Sequence, residues 1–444
     1  MDRRAFLASA GAALVSGASA PPNVVIVYAD DLGYGDLGCY GHPSIRTPNL
    51  DRLAAEGIRF TQFYSASPFC TPSRSALMTG RLPIRTGLNV VLFPDSTGGL
   101  QDGETTMAEM LRGRGYATAC VGKWHLGHQP KYLPPNHGFD SYFGIPYSND
   151  MSPKTSKNVR RDKWPPTPLI RNLETVEQEP DQSQLTRRYT DGAVEFIRKS
   201  AKSRKPFFLY LAHTMPHWPL AASDRFRGKS RRGLYGDAVE ELDWSVGEVI
   251  RALREARVDR NTLVVFSSDN GPARYLAEEG GSAGLLRDGK GSTWEGGMRE
   301  PAIAWWPGRI KPMVSSAFAT TMDLFPTVGK LAGAAVPTDR TYDGVDIGDV
   351  LFQGAAGREP LMYYYNQGVF RAVRKGPWKL HVETNSAMAQ RRPYRTETPP
   401  LLYNLDHDPA EEFNVADKHP DVVREMEALV ARHRAEVKPG VPQT

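Results

Sequence analysis

The sequence predicts an α/β fold, in which a large, mixed, mainly parallel sheet is sandwiched by helices and followed by a smaller C-terminal antiparallel sheet plus helix. Three observations predict it. Four apolar, β-rich runs each end in polar residues able to do chemistry, amphipathic helical patterns lie between those runs, and the pattern changes character after Pro337. Runs this continuous mark strands buried on both faces. Strands that alternate with helices imply a parallel sheet. The 444 residues suffice for one large domain with an appendage or for two domains. The boundaries read as residues 21–350 for the α/β part and 351–444 for the smaller α+β part.

Taken in order, residues 1–20 stand outside the fold. Arg3-Arg4 precedes an apolar stretch running to about Val15, and small residues follow to Ala20. The pattern resembles a bacterial twin-arginine export signal, so export to the periplasm is expected. The stretch is too short to span a bilayer, and no later run reaches the ~18 apolar residues a spanning helix needs.

The first run, Val24-Val25-Ile26-Val27-Tyr28, leads into Asp30-Asp31. Thr47 then suits a helix cap, with Pro48 in the first position, Leu50, Leu53 and Ala54 inward, and Gly57 at the stop. Met107, Met110 and Leu111 mark another helix before the second run, Ala117-Thr118-Ala119-Cys120-Val121, which leads into Lys123-Trp124-His125. From Met151 to about Leu185 the chain turns polar and proline-rich, a surface excursion that reads either as a lid or as a plain loop. The third run, Phe207-Phe208-Leu209-Tyr210-Leu211, leads into His213 and His217. Val239, Leu242, Val246, Val249, Ile250 and Leu253 make a longer amphipathic helix. The fourth run, Leu263-Val264-Val265-Phe266, leads into Asp269-Asn270-Gly271. Ligands of such sheets bind beyond the carboxyl ends of the strands, so the four polar clusters are expected to converge there. Strand-like pieces at 361–365 and 378–382 and a charged helix from about Pro420 to Val437 complete the chain.

Composition narrows the function. Hydrophobic residues at 40% and charged residues at 24% are an ordinary globular balance. The net charge of +5, from 55 basic and 50 acidic residues, is spread without a basic block, so nucleic-acid binding has no electrostatic footprint. The three cysteines, Cys39, Cys70 and Cys120, are too few and odd in number for a disulfide framework. Stability must come from the core, and one cysteine is free for chemistry.

That cysteine is Cys70, in Cys70-Thr71-Pro72-Ser73-Arg74 continuing to Thr79-Gly80-Arg81. Thr71 suits a cap, Pro72 a first turn and Gly80 a stop, which places Cys70 at a helix N-terminus. Unpaired N–H groups and the positive helix end make such a position an anion site. Cys70 to Arg81 resembles the signature of the type I sulfatases, whose cysteine is oxidised by a dedicated enzyme to formylglycine. The likeness runs over nearly the whole chain, from Asp30-Asp31-Leu32-Gly33-Tyr34-Gly35-Asp36 to Leu402-Tyr403-Asn404-Leu405 with Asp408-Pro409. Within the family it is greatest to the arylsulfatase A branch, through Gly144-Ile145-Pro146-Tyr147-Ser148 and Gly284-Leu285-Leu286-Arg287 with Gly289-Lys290-Gly291.

The resemblance implies an alkaline-phosphatase-like fold and hydrolysis of an organic sulfate monoester to alcohol and inorganic sulfate. It implies that Asp30, Asp31, Asp269 and Asn270, with the modified Cys70, hold calcium, or magnesium in its place. Hard oxygen ligands agree with that choice and not with zinc. It further implies roles for Lys123 and His125 around the formylglycine, for Lys290 on the sulfate, for His217 on the leaving-group side and for Ser148 near the hydrate. A zinc reading of His213 and His217 fails, because no His-Glu-x-x-His accompanies them and Pro216 and Pro219 argue against a helix. His128 and His213 read as structural. Arg74, Lys123 and Lys290 balance Asp30, Asp31 and Asp269, so a divalent ion leaves the site net positive, which favours a bound anionic ester and its transition state. The hydrate offers two hydroxyls on one carbon, one to attack sulfur and one to drive sulfate out, which a serine lacks.

Partners implied are a sulfated small molecule or glycan and, during maturation, a formylglycine-generating enzyme. Two departures from arylsulfatase A limit the carry-over: its dense disulfide set is missing, and Glu397 replaces a histidine before Pro399-Pro400-Leu401-Leu402-Tyr403. Two rivals remain. A phosphonate or phosphate ester hydrolase of the same superfamily would share the cysteine, but Asn270 as ligand and the lack of a second Asp and His set favour sulfate. A non-catalytic sulfated-glycan binding protein would need lost site residues, and none is missing.

Overall fold

The four apolar runs lie side by side. In the computed structural model, which describes residues 20–156, 158, 161–386, 388 and 398–444, they form β1 (Asn23–Ala29), β3 (Ala117–Gly122), β7 (Phe207–Ala212) and β8 (Thr262–Ser268). The remaining strands of the large sheet are β2 (Ile58–Tyr64), β4 (Ser141–Gly144), β5 (Pro168–Arg171), β6 (Glu174–Gln178), β9 (Arg299–Trp305), β10 (Met313–Ser315) and β11 (Ala319–Thr320). Their order is β10-β2-β9-β8-β1-β7-β3-β4-β5-β6, with β11 paired to β2. The centre β8-β1-β7-β3 is parallel throughout, in a register that sets Val25 beside both Leu209 and Val264. Antiparallel pairing enters where β9 lies between β8 and β2 and at the β4-β5-β6 edge.

Alternate residues of the central strands enter two separate cores, which is why these strands read as unbroken apolar runs. Val24, Ile26, Phe208, Tyr210, Leu263 and Val265 pack with Met107, Met110, Leu111, Leu324, Phe325 and Val328 on one face. Val25, Val27, Leu209, Leu211, Val264 and Phe266 pack on the other with Tyr189, Ala193 and Ile197 of the helix Leu185–Ser203 and Val239, Leu242, Val246, Val249 and Leu253 of the helix Gly233–Glu255. Each such buried side chain contributes about 1.5–3 kcal/mol of transfer free energy. The sheet is thereby sandwiched by helices.

Several local expectations change. Thr47 precedes the helix Pro48–Glu56 but does not cap it through its side chain; its hydroxyl donates to Asp51 and accepts from Gly38 N–H, tying the preceding turn instead. The helix Cys70–Thr79 starts two residues earlier than Thr71 as a cap would place it, with Phe69 at the cap position, while Thr71 accepts from the Leu92 N–H. Gly80 ends that helix with φ 69, as its lack of a side chain allows. The excursion from Met151 is neither wholly lid nor wholly loop, because its second half, β5 and β6, extends the sheet edge. The turn at Asn172 (φ 57) lacks the glycine that would have signalled that hairpin.

The smaller sheet is β12 (Leu361–Asn366), β13 (Val369–Lys375), β14 (Trp378–His381) and β15 (Leu401–Asn404), antiparallel in that order. The helix Pro420–Glu436 covers it, burying Met426 and Val430 against Val373, Leu380 and Leu402. Cys39, Cys70 and Cys120 are all free thiols. No helix among the described residues is long and apolar enough to cross a membrane. The twin-arginine segment, up to residue 19, and Glu397 lie outside the described residues.

Candidate active site

The polar clusters do converge. Beyond the ends of β1, β7 and β8 the ladder continues for one more rung, with Asp30 N–H donating to Met215 O (3.3 Å) and Asp269 N–H to Ala29 O (3.1 Å). Asp31 then turns away with φ 63, a left-handed conformation that costs a non-glycine residue about 1 kcal/mol. At the ends of β3 and β4 two glycines let three backbones pinch together. A Cβ on Gly122 would lie 1.8 Å from Ala212 O, and one on Gly144 would lie 1.7 Å from Gly122 O. That approach sets Lys123 N–H on Ala212 O (2.7 Å) and His125 N–H on Pro146 O (3.0 Å), bringing Lys123 and His125 beside Ser148. The loop between β8 and β9 brings Lys290, and Gly291 N–H donates to Pro68 O (3.0 Å), two residues before Cys70.

Each of the three carboxylates has a cation within hydrogen-bond distance, and Arg74 also lies 3.5 Å from Asp30. Arg74 places Nε and Nη2 on Asp269 Oδ2 at 3.0 and 2.8 Å and Nη1 on Lys123 O at 3.1 Å. Lys123 Nζ lies 2.5 Å from Asp30 Oδ2 and 3.2 Å from Ser148 Oγ. Lys290 Nζ lies 2.8 Å from Asp31 Oδ2, and Asn270 Nδ2 donates to Asp31 Oδ1 at 2.8 Å. Cys70 Sγ is 3.5 Å from Asp30 Oδ1. His217 Nε2 is 3.4 Å from Ser148 Oγ and 3.7 Å from Asp31 Oδ2. Donor atoms of Asp30, Asp31, Cys70 and His217 all lie within 4.8 Å of one another. Asp269 is outside that group; its Oδ1 accepts from the Asp31 N–H (3.2 Å) and its Oδ2 is taken by Arg74.

Burial sets the protonation states. It would raise Asp30, but Lys123, His217, Arg74 and Lys290 hold that carboxyl far below the usual range. Burial and the Asp30 charge push Asp269 up to about 6 against the pull of Arg74. Burial pushes the Cys70 thiol well up, and Asp30 adds to it, so an unmodified thiol here stays protonated and is a poor nucleophile. Burial and Lys123 depress His125, which is neutral. Its Nε2 lies 2.9 Å from Leu92 O and therefore carries the proton, leaving Nδ1 as a bare acceptor with no hydrogen-bond partner among the described residues. Burial and Lys290 depress His217, whose Nδ1 faces Trp218 O.

Above these residues opens a cavity of about 960 Å3. Cys70, Asp31, His125, Ser148, His217 and Lys290 form its floor, while Arg74, Lys123, Asp269 and Asn270 lie beneath, out of contact with it. Its walls come from residues that sequence reasoning did not assign: Phe93, Asp95, Asp150, Trp164, Trp218 and Tyr275. Asp150 and Trp218 stand within two residues of Ser148 and His217, and that neighbourhood was the signal available for them. Of the two histidines read as structural, His213 bonds Ser245 Oγ at 3.0 Å inside the core, and His128 packs against the Tyr147 ring.

The chain also resembles known proteins over most of its length. A family model described as Sulfatase matches residues 22–334, and one described as the C-terminal region of aryl-sulfatase matches residues 356–444. The chain is 43% identical to arylsulfatase A of Bos taurus, over 97% of this chain and 92% of that protein. It is 41% identical to N-acetylgalactosamine-6-sulfatase of Sus scrofa, over 97% of this chain and 89% of that protein. Among solved structures, the PsFucS1 sulfatase from Pseudoalteromonas sp. superposes with a TM-score of 0.84 at 31% identity, covering 95% of this chain and 92% of that one.

Proposed function

The chain belongs to the sulfatase family and is a sulfuric ester hydrolase, and from that premise we propose that it works through a formylglycine made from Cys70 beside a bound calcium ion. One observation carries the proposal. Cys70 sits at the first position of a buried helix, within 3.5 Å of Asp30, with a cation for each of the three carboxylates around it.

The residues present fit the metal. Asp30, Asp31, Asp269 and Asn270 would hold it, an all-oxygen set suited to calcium or, with fewer ligands, magnesium. Asn270 Oδ1 is buried and has no hydrogen-bond partner among the described residues, while its Nδ2 holds Asp31. Such an orphaned oxygen costs about 1–3 kcal/mol, and a cation supplies the missing partner. The ion would supply Lewis-acid charge, and the hydrated formylglycine its paired hydroxyls.

The chain's own groups divide the remaining work by position. Lys290, on the cavity floor, binds the sulfate oxygens and, with Lys123 beneath, offsets charge that grows as the ester bond breaks. Ser148, bridging Lys123 and His217, orients the nucleophile. His217 or Lys290, both beside Asp31, gives the departing alcohol oxygen its proton. His125 Nδ1, with no hydrogen-bond partner among the described residues, accepts the proton whose removal accompanies sulfate release. Arg74 touches no part of the cavity and holds Asp269 and the Lys123 carbonyl in place.

The substrate in this reading is a sulfated small molecule or glycan. Maturation requires a formylglycine-generating enzyme, and Arg3-Arg4 directs export of the finished, folded protein to the periplasm. Replacing both arginines with lysine retains active protein inside the cell; unchanged export of that variant refutes the route. For the chemistry, mass spectrometry of the peptide spanning Cys70 reads a residue about 18 Da lighter than cysteine. Nitrophenyl sulfate is cleaved faster than nitrophenyl phosphate, and the reverse order overturns the assignment.

A further inference from the structure

We propose that the C-terminal sheet serves the active site as a clamp on the loop that carries Lys290, with Asn366 and Asn385 as positioning residues. The proposal rests on the reading of Lys290 as the sulfate-binding lysine. Residues 289–294 have no helix or strand of their own to hold them. From the loops that follow β8 and β2 they receive two backbone anchors, Lys290 N–H on Pro272 O (2.9 Å) and Gly291 N–H on Pro68 O (3.0 Å). Tyr64 of β2 adds a side-chain bond to Glu295 Oε2 (2.7 Å), and the remaining long-range ties to the backbone of 291–295 come from the C-terminal side. Gly291 O accepts from Asn366 Nδ2 (2.7 Å) and from Asn385 Nδ2 (2.5 Å). Thr293 O accepts from Lys379 Nζ (2.8 Å), and Glu295 N–H donates to Glu411 Oε2 (2.6 Å).

The clamp is itself rigid. Lys379 is buried between Glu295 Oε1 (2.9 Å) and Glu411 Oε1 (3.0 Å), and His381 Nε2 lies 2.7 Å from the same Glu411 oxygen. Asn366 is buried at the end of β12, and the turn it opens places the next residue, Gln367, on the cavity wall. Asn366, Asn385 and Lys379 are not among the residues that line the cavity. They act on the reaction through the backbone they hold. A lysine reaches its target along a flexible four-carbon stem, so the place of its Cα decides whether the ammonium arrives. Gly291, with φ +83, follows Lys290 directly, and two amides on its carbonyl fix that place. Displacement of a binding group by about 1 Å costs up to about 100-fold in rate.

The test is a double-mutant cycle on the full-length, matured enzyme with nitrophenyl sulfate. Asn366→Ala lowers kcat/KM about 10-fold, and adding Asn385→Ala deepens the loss toward 100-fold. In a Lys290→Ala background the same changes cost less than about 2-fold, because the residue they position is gone. Equal losses in both backgrounds overturn the proposal and leave the two asparagines as purely structural. Should Asn366→Ala fail to fold, the cycle is run with Asn385→Ala, which stands at a less buried position. A Lys290→Ala enzyme with wild-type turnover overturns the reading of Lys290 and the clamp together; a slow Lys290→Ala enzyme with additive losses overturns the clamp alone.

Discussion

Arg74 sets two of its nitrogens on one oxygen of Asp269, Nε at 3.0 Å and Nη2 at 2.8 Å, with neither side chain exposed to solvent. Only a guanidinium can do this while Nη1 also reaches Lys123 O. Arg74→Lys keeps the charge but leaves that carbonyl and one contact unmet. The expected cost is about 2–3 kcal/mol, read as a lower urea midpoint, with a loss of turnover. An unchanged midpoint would show that a point charge is enough.

Calcium linkage gives a second test. On the proposed reading, chelation takes a cation away from the buried oxygens of Asp30, Asp31 and Asn270. Calcium at about a hundred times its Kd stabilises the fold by about 2.7 kcal/mol relative to the chelated protein. Thermal scans before and after chelation measure it, and coincident melting curves count against the site.

Trp218 lines the cavity next to His217, half-buried, and joins none of the buried charge pairs on the floor or beneath it. Its removal therefore weakens leaving-group binding in ground and transition states alike. Trp218→Ala raises KM for an aryl sulfate about 10-fold with kcat little changed. A fall in kcat alone would place Trp218 in the chemical step.

Stability carries its own pH signature away from the site. Burial pushes Asp36 up to about 7, against donors from Tyr235, Gly33 and Ser282. The unfolded chain releases this proton near 3.9, so between about 4 and 7 the folded state holds the extra proton and stability falls as pH rises, levelling off above 7. Tyr235 OH, 2.6 Å from Asp36 Oδ2, donates to a charged acceptor only above that window. Tyr235→Phe should cost about 2 kcal/mol at pH 8 and about 1 kcal/mol at pH 5 by urea unfolding. Equal costs would mean that Asp36 does not ionise there.

Much of the site was legible because its parts sit where apolar runs stop: Asp30-Asp31, Lys123 to His125, His217 and Asp269-Asn270 each follow a central strand, and strand ends are where such sheets place ligands. Ser148 and Lys290 were legible only through the family resemblance. Cys70 was legible through its helix signals, although Phe69 and not Thr71 takes the cap position. The walls were not legible. Phe93 and Trp164 come from irregular segments and Tyr275 from a short 3-10 helix, none with a period to betray a shared surface, and the clamp on Gly291 joins residues 75 and 94 positions apart. The β5-β6 hairpin escaped notice because its turn uses Asn172 without a glycine.

The pinch at Gly122 and Gly144 divides the molecule by its freedom to vary. With carbonyl oxygens standing within 2 Å of where a Cβ would be, neither position can accept any other residue without parting the strands that present Lys123 and His125. The aromatic and acidic walls bear no such constraint. Substrate preference can drift from one descendant to another by exchanging rim side chains, while the sulfur-handling machinery below stays frozen by the backbone itself.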